Sequence, residues 1–165
     1  ATTDKIAKEA GLAVGTIYNY FSNKEDILKY IFDVEYQKRY EFYQRVKDSH
    51  KDPLLKIKEL LDFHFNEIQK EPDIIRIVLA EKVTASRSKL MPLEKYTKLS
   101  ALFSEIFVEG MEEGYFRQCD PKILSMVIFG FLEAAMSAFL SSKEVHLLNR
   151  GTEELIGLLR TGLMR

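Results

Sequence analysis

Thr3-Asp4-Lys5-Ile6-Ala7-Lys8-Glu9-Ala10-Gly11-Leu12-Ala13-Val14-Gly15-Thr16-Ile17-Tyr18-Asn19-Tyr20-Phe21 opens the chain and decides its fold. Ile6, Ala7 and Ala10 recur at three- and four-residue spacing, the stripe of a short amphipathic helix. Thr3 is placed to cap that helix through its hydroxyl. Gly11 supplies the left-handed backbone position that ends it. Val14, Ile17 and Phe21 then repeat the spacing, so a second short helix packs back on the first. Gly15, Thr16, Tyr18, Asn19 and Tyr20 are left facing outward at least in part. Tyrosine, threonine and asparagine there are hydrogen-bonding groups and not core fillers. Such a face suits DNA phosphates and base edges.

Working outward, Asn23 caps a helix whose first turn is Lys24-Glu25-Asp26, with Asp26 three residues after the cap. Its apolar stripe (Ile27, Leu28, Ile31, Phe32, Val34, Tyr36) meets no breaker before about Asp48. A helix of that length joins the opening unit to the rest of the chain like a lever. Asp52-Pro53 starts the next helix, proline being tolerated in a first turn, and it runs through Ile68. Glu71-Pro72 opens another, expected from Asp73 to about Ala85. Ser86 to Pro92 is polar and reads as a loop or shorter helix. Leu93 to Glu113 follows and ends at Gly114. Asp120-Pro121 then begins a helix from Lys122 to about Leu140 that is apolar on nearly every side. The last helix is expected from Thr152 to about Met164. Strand-like alternation is absent, so the expected fold is all-α, a helix-turn-helix followed by a helical bundle.

The motif Ala10-Gly11-Leu12, Gly15-Thr16-Ile17-Tyr18-x-Tyr20-Phe21-x-x-Lys24-Glu25-Asp26-x-Leu28 resembles the TetR (TetR/AcrR) family of bacterial one-component regulators. The resemblance implies that Val14, Gly15 and Asn19 approach base edges. It implies that Thr3, Thr16, Tyr18, Tyr20 and Lys24 hold phosphates. Ala13 departs from the family pattern, which often places Ser or Thr there as a helix cap. The family also has a helix ahead of this pair, about 20 residues with its lead-in, and Ala1 begins too late for it. A missing first helix, disordered or truncated, is therefore the expectation. Residues 1–47 carry eight Lys/Arg against seven Asp/Glu, a nearly neutral balance for a DNA reader.

The chain divides on this basis into residues 1–47, the DNA-binding unit with its connecting helix, and 48–165, the ligand-binding and dimerisation unit. A helix as apolar as 122–140 needs cover all round, and part of that cover is expected from a second copy of the chain. Gly130, Ala134, Ala135 and Ala138 are small enough for a partner helix to approach. The resemblance points to the same place, a homodimer through the last two helices. It further implies a cavity between body helices whose occupancy tilts the helix at 24–47. Candidate lining residues are Phe63, His64, Ile74, Val78, Leu99, Leu102, Phe103, Ile106, Met126, Phe129 and Phe139. Each, taken alone, reads first as ordinary core. Phenylalanines and methionines can line an elongated apolar space, and without tryptophan a flat cationic guest is less suited to it than an acyl chain. Met126-Val127-Ile128-Phe129-Gly130-Phe131 is similar to the fatty-acid-responsive (FadR-like) branch of the family.

With 165 residues, 46% of them apolar, the chain can bury a substantial core. A net charge of −1 argues against wholesale nucleic-acid coating or a polybasic membrane anchor. Cys119 is the single cysteine, which rules out an internal disulfide and fits a reducing cytoplasm. No apolar run in the sequence reads as a bilayer span. His50, His64 and His146 are scattered, as are Glu81, Glu105 and Glu133, with no nucleophile–base or metal-ligand spacing. Neither an enzyme nor a cofactor is expected. The expectation is a repressor released from a palindromic operator by a small hydrophobic effector. An all-helical interaction module that kept the fold but lost DNA binding stays open beside it.

Overall fold

Side chains cap four of the helix starts described below, and three of those caps lie at the positions expected. The computed structural model describes residues 2–77, 93–142 and 145–164. Helix α1 spans Thr3–Glu9 and α2 spans Val14–Tyr18, with Gly11 between them at φ +68°. The cap of α1 is Thr2, whose hydroxyl accepts from the Lys5 amide at 3.4 Å, while Thr3 lies buried in the first turn. The sequence placed the cap one residue late because two adjacent threonines offer the same hydroxyl. Ala13 precedes α2 with no side-chain cap.

The long helix α3 spans Lys24–Lys47, about 36 Å at 1.5 Å per residue. Its start is a reciprocal cap. Asn23 Oδ1 accepts from the Asp26 amide at 2.9 Å, and Asp26 Oδ2 accepts from the Ser22 amide at 3.0 Å. Helix α4, Pro53–Lys70, is capped by Asp52, which accepts from the Leu54 and Leu55 amides. Residues 72–77 are helical (α5), and the expected continuation to Ala85 and the loop after it lie outside the described residues. Helix α6 spans Leu93–Glu112, α7 spans Pro121–Ser142 and α8 spans Val145–Leu163. Asp120 Oδ1 caps α7, accepting from Lys122 and Ile123 at 2.9 and 3.2 Å.

Helix α8 begins seven residues earlier than the expected Thr152. Leu148 and Thr152 are both fully buried there and hold the intervening residues in helical register. After α6 the chain reverses at Gly114, φ +80°. It then tucks Phe116 under α6, and the Arg117 amide donates to the Leu163 carbonyl at 2.8 Å, tying this turn to the end of α8.

Helices α4, α6, α7 and α8 enclose one core, with α3 laid across α4 and α6. Its centre is Ile57, Leu60, Leu61, Phe65, Phe103, Ile106, Phe107 and Ile128, all fully enclosed. Edge-to-face contacts run from Tyr43 to Phe103 and on to Phe129. One expectation needs correcting: α7 is, by length and composition alone, apolar enough to cross a bilayer. Its Ile128, Phe129, Leu132, Met136 and Phe139 face the core, and buried Ser125 pairs with Ser104 of α6 at 2.8 Å. Within the bundle it packs as a core helix. Its opposite face, with Ile123, Met126 and Val127, is uncovered in the single chain.

Candidate nucleic-acid interface

Ile17 is the buried anchor of α2, and everything around it is turned outward. Phe21 follows half-buried, its ring edge-on to Tyr30 of α3 at 5.6 Å, which fixes the exit from α2 onto the long helix. Tyr18 is 51% exposed and Tyr20 79%, so neither phenol is part of the core. Val14, Gly15 and Asn19 are exposed beside them, and Thr16 is half-buried. Lys24 lies exposed at the start of α3, paired only loosely to Glu25 at 3.9 Å. Seven of the eight candidate DNA contacts thus lie within one α2–α3 corner. Thr3 is the exception. Its burial removes it from that surface, and Thr2 holds the exposed position at the start of α1.

Gly15 has room to spare, since a Cβ there would meet nothing within 4 Å. The fold does not itself require glycine at that position. Gly110 is the contrast, because a Cβ there would lie 2.3 Å from the Phe116 ring.

The candidate ligand residues separate into groups. Leu99, Leu102, Phe103, Ile106, Phe129 and Phe139 are buried in the common core. Phe63 and Ile74 are half-buried, Phe63 stacked on Phe42 of α3 with centroids 3.8 Å apart. Val78 lies outside the described residues. Met126 is 70% exposed and belongs to none of these groups. It falls off the 125, 128, 129, 132 stripe, a distinction hidden in a sequence that is apolar on every side. Met126 instead borders an open groove of about 960 Å³ with Lys47, Lys56, Ser104, Glu105, Glu109 and Lys122.

Polar contacts tie α3 to the body, and none was legible as a pair. Lys56, 1% exposed, donates to Glu109 Oε1 at 2.5 Å and to the Lys47 carbonyl at 2.7 Å. Lys38 pairs with buried Glu67, which Lys70 also contacts at 2.9 Å. Burial alone would push the Glu67 carboxyl up, but the two ammonium groups outweigh it and hold it below the usual range. Lys95 of α6 pairs with Asp33. Their only signal in sequence was a charged residue on an otherwise apolar face, as at Lys56.

A further polar group lies where α3 crosses α4. Arg39 is buried and paired with Glu35 one turn back. Tyr43 is fully buried with its hydroxyl 3.4 Å from His64 Nδ1. Burial, reinforced by the Arg39 charge, pushes the His64 imidazole down to about 3, so the ring is neutral. Burial pushes the Tyr43 phenol well up, Arg39 opposing it.

Comparison with known proteins agrees with this arrangement. Residues 1–31 match the family model described as bacterial regulatory proteins, tetR family. Residues 53–143 match a tetracyclin repressor-like C-terminal domain. The chain is 25% identical to the fatty acid metabolism regulator protein of Bacillus subtilis, over 96% of this chain and 83% of that protein. Among solved structures it is similar to the fatty acid degradation regulator FadR from Bacillus halodurans. That match has 30% identity and TM-score 0.79, covering 100% of this chain and 87% of that one. The transcriptional regulator FadR from Bacillus subtilis in complex with stearoyl-CoA matches with TM-score 0.76 and 25% identity, over 98% and 88% of the two chains. With an N-terminal helix-turn-helix, an all-helical body and matches to both family models, the chain belongs to the TetR family of bacterial regulatory proteins.

Proposed function

We propose that the protein is a repressor that leaves its operator when a long-chain acyl thioester enters the helical body. The observation that carries the DNA half is the exposed Val14–Tyr20 face, built on a single buried anchor, Ile17. Gly15, Val14 and Asn19 approach base edges, while Thr16, Tyr18, Tyr20 and Lys24 hold phosphates. An open Cβ position at Gly15 fits a close backbone approach to an outside partner. Residues 1–47 read DNA in this account, and 48–165 bind the effector and a second copy.

The dimer forms through α7 and α8, which leave Ile123, Met126 and Val127 on one helix and Leu158 on the other uncovered. Leu158 is 70% exposed, so a glutamate in its place costs the monomer little and breaks the pairing. Pairing sets two α2 helices about 34–36 Å apart, one turn of B-DNA, or at a wider multiple. The effector half is supported by the similarity to a regulator solved with stearoyl-CoA. It is supported also by the phenylalanine-rich core through which Tyr43 of α3 touches Phe103 of α6. A ligand that prefers one setting of α3 shifts the separation of the two α2 helices and so the affinity for DNA.

The test is selection of a binding site from a random duplex library, followed by titration of the selected duplex. Tyr18→Ala and Lys24→Ala should weaken binding without altering the melting temperature, and Lys24→Ala should reduce the salt slope by about 1. A protein that selects no duplex would instead be an interaction module that kept the fold.

A further inference from the structure

His64 Nε2 is buried and has no hydrogen-bond partner. An orphaned ring nitrogen in a core is uncommon, because it forfeits a bond to water and gains none. The contact on the other side of the ring sets the proton. If the Tyr43 hydroxyl donates to Nδ1, both of those groups are satisfied and the proton sits on Nε2. The opposite tautomer would leave the Tyr43 O–H without an acceptor. His64 therefore presents an unused N–H inside the bundle.

His64 lies where α3 crosses α4 and is half-buried, with Nε2 itself enclosed. The Phe65 ring stands edge-on to the imidazole at 6.2 Å and meets Phe131 of α7 at 5.8 Å. One N–H donor among aromatic and aliphatic side chains suits a long apolar guest carrying a single acceptor. The open groove beside Lys56 offers no comparable vacancy, because Lys47 and Lys56 are already paired with Glu105 and Glu109.

We infer that His64 Nε2–H is the donor that recognises the acyl carbonyl oxygen of the effector, with Tyr43 as the positioning residue that fixes its tautomer. This rests on the acyl-thioester reading above. A thioester carbonyl fits better than a free carboxylate. Arg39 is already neutralised by Glu35, so a carboxylate would enter as an uncompensated buried charge. A neutral carbonyl accepts one hydrogen bond and adds no charge. The donor is then satisfied only when the site is filled.

The experiment compares palmitoyl-CoA with the hexadecyl thioether of CoA, which keeps chain and nucleotide but lacks the carbonyl oxygen. Calorimetric titration of the wild type should show about ten-fold tighter binding of palmitoyl-CoA, the scale of one buried hydrogen bond. His64→Leu should bind both compounds equally. His64→Gln, which restores an N–H, should recover much of the preference. Tyr43→Phe should reduce the preference while leaving thioether binding unchanged. Palmitoyl-CoA bound with no preference by the wild type, or with an undiminished preference by His64→Leu, would overturn the role of His64 and leave the effector class standing. Binding of neither compound by the wild type would overturn both.

Discussion

Lys56 Nζ lies 2.7 Å from the carbonyl oxygen of Lys47, so one buried ammonium closes the last turn of α3. The final carbonyls of a helix lack intrahelical partners and carry partial negative charge, and a cation there satisfies both needs. Because Lys56 belongs to α4 and also holds Glu109 of α6, it pins the far end of the lever to the body. The Lys38–Glu67 and Asp33–Lys95 pairs hold the rest of α3 to the body. Lys56→Met, which keeps the stem and removes the charge, should cost about 1–3 kcal/mol in urea unfolding through the acceptors it leaves unpaired. An unchanged midpoint would mean that apolar contacts of Val46 and Leu54 hold this end alone.

Gly15→Ala separates binding from folding. The added methyl has open space, and alanine in a helix should leave stability equal or raise it by about 0.5–1 kcal/mol. Operator affinity should nevertheless fall, by about ten-fold or more, where the backbone meets DNA. Melting curves and fluorescence anisotropy on the same sample check the pair, and full affinity would remove Gly15 from the interface.

His64 makes stability depend on pH in a window of its own. Its folded-state value, about 3, lies below the ordinary 6.5, so the unfolded chain binds the proton first. The stability is present in full above about pH 6.5 and is lost as pH falls toward 3. At pH 5 the loss is about 2 kcal/mol relative to neutral pH. Glu67 is held below its usual range and adds its own loss only at more acid pH. Denaturant unfolding of wild type and His64→Leu at pH 7 and pH 5 should show the loss in the first and not in the second.

Gly110→Ala tests a close approach inside the fold. The new methyl would stand 2.3 Å from a ring carbon of Phe116, whose amide donates to the Gly110 carbonyl at 2.8 Å. Overpacking there should destabilise by about 1–3 kcal/mol. Gly110→Ala combined with Phe116→Leu should recover part of the loss, and additive losses in the double variant would place the strain elsewhere.

Much of the architecture was legible because caps and prolines are local signals. Asn23, Asp52 and Asp120 mark helix starts by bonds to amides two or three residues on, and Gly11 and Gly114 mark ends by backbone sign. Thr2 was missed for Thr3 because local chemistry did not distinguish them. The outward set on α2 was legible because only Ile17 needed burying. What stayed hidden was pairing across helices. Lys56 with Glu109, and Tyr43 with His64, are 53 and 21 residues apart, and no local periodicity relates them. Met126 was misplaced for a related reason. When a helix is apolar on every side, its period no longer says which face meets the core, and Ser125, fully buried against Ser104, shows polarity a poor guide there too.

The central claim is that filling the helical body loosens the grip of the α2 face on DNA. Anisotropy of a labelled, selected operator bound to the protein and titrated with palmitoyl-CoA measures this in one cell. The account predicts full release by the acyl thioester at near-stoichiometric concentration, no release by free CoA, and weaker initial binding by Tyr18→Ala. Binding that persists when calorimetry shows palmitoyl-CoA bound to the same protein would contradict it.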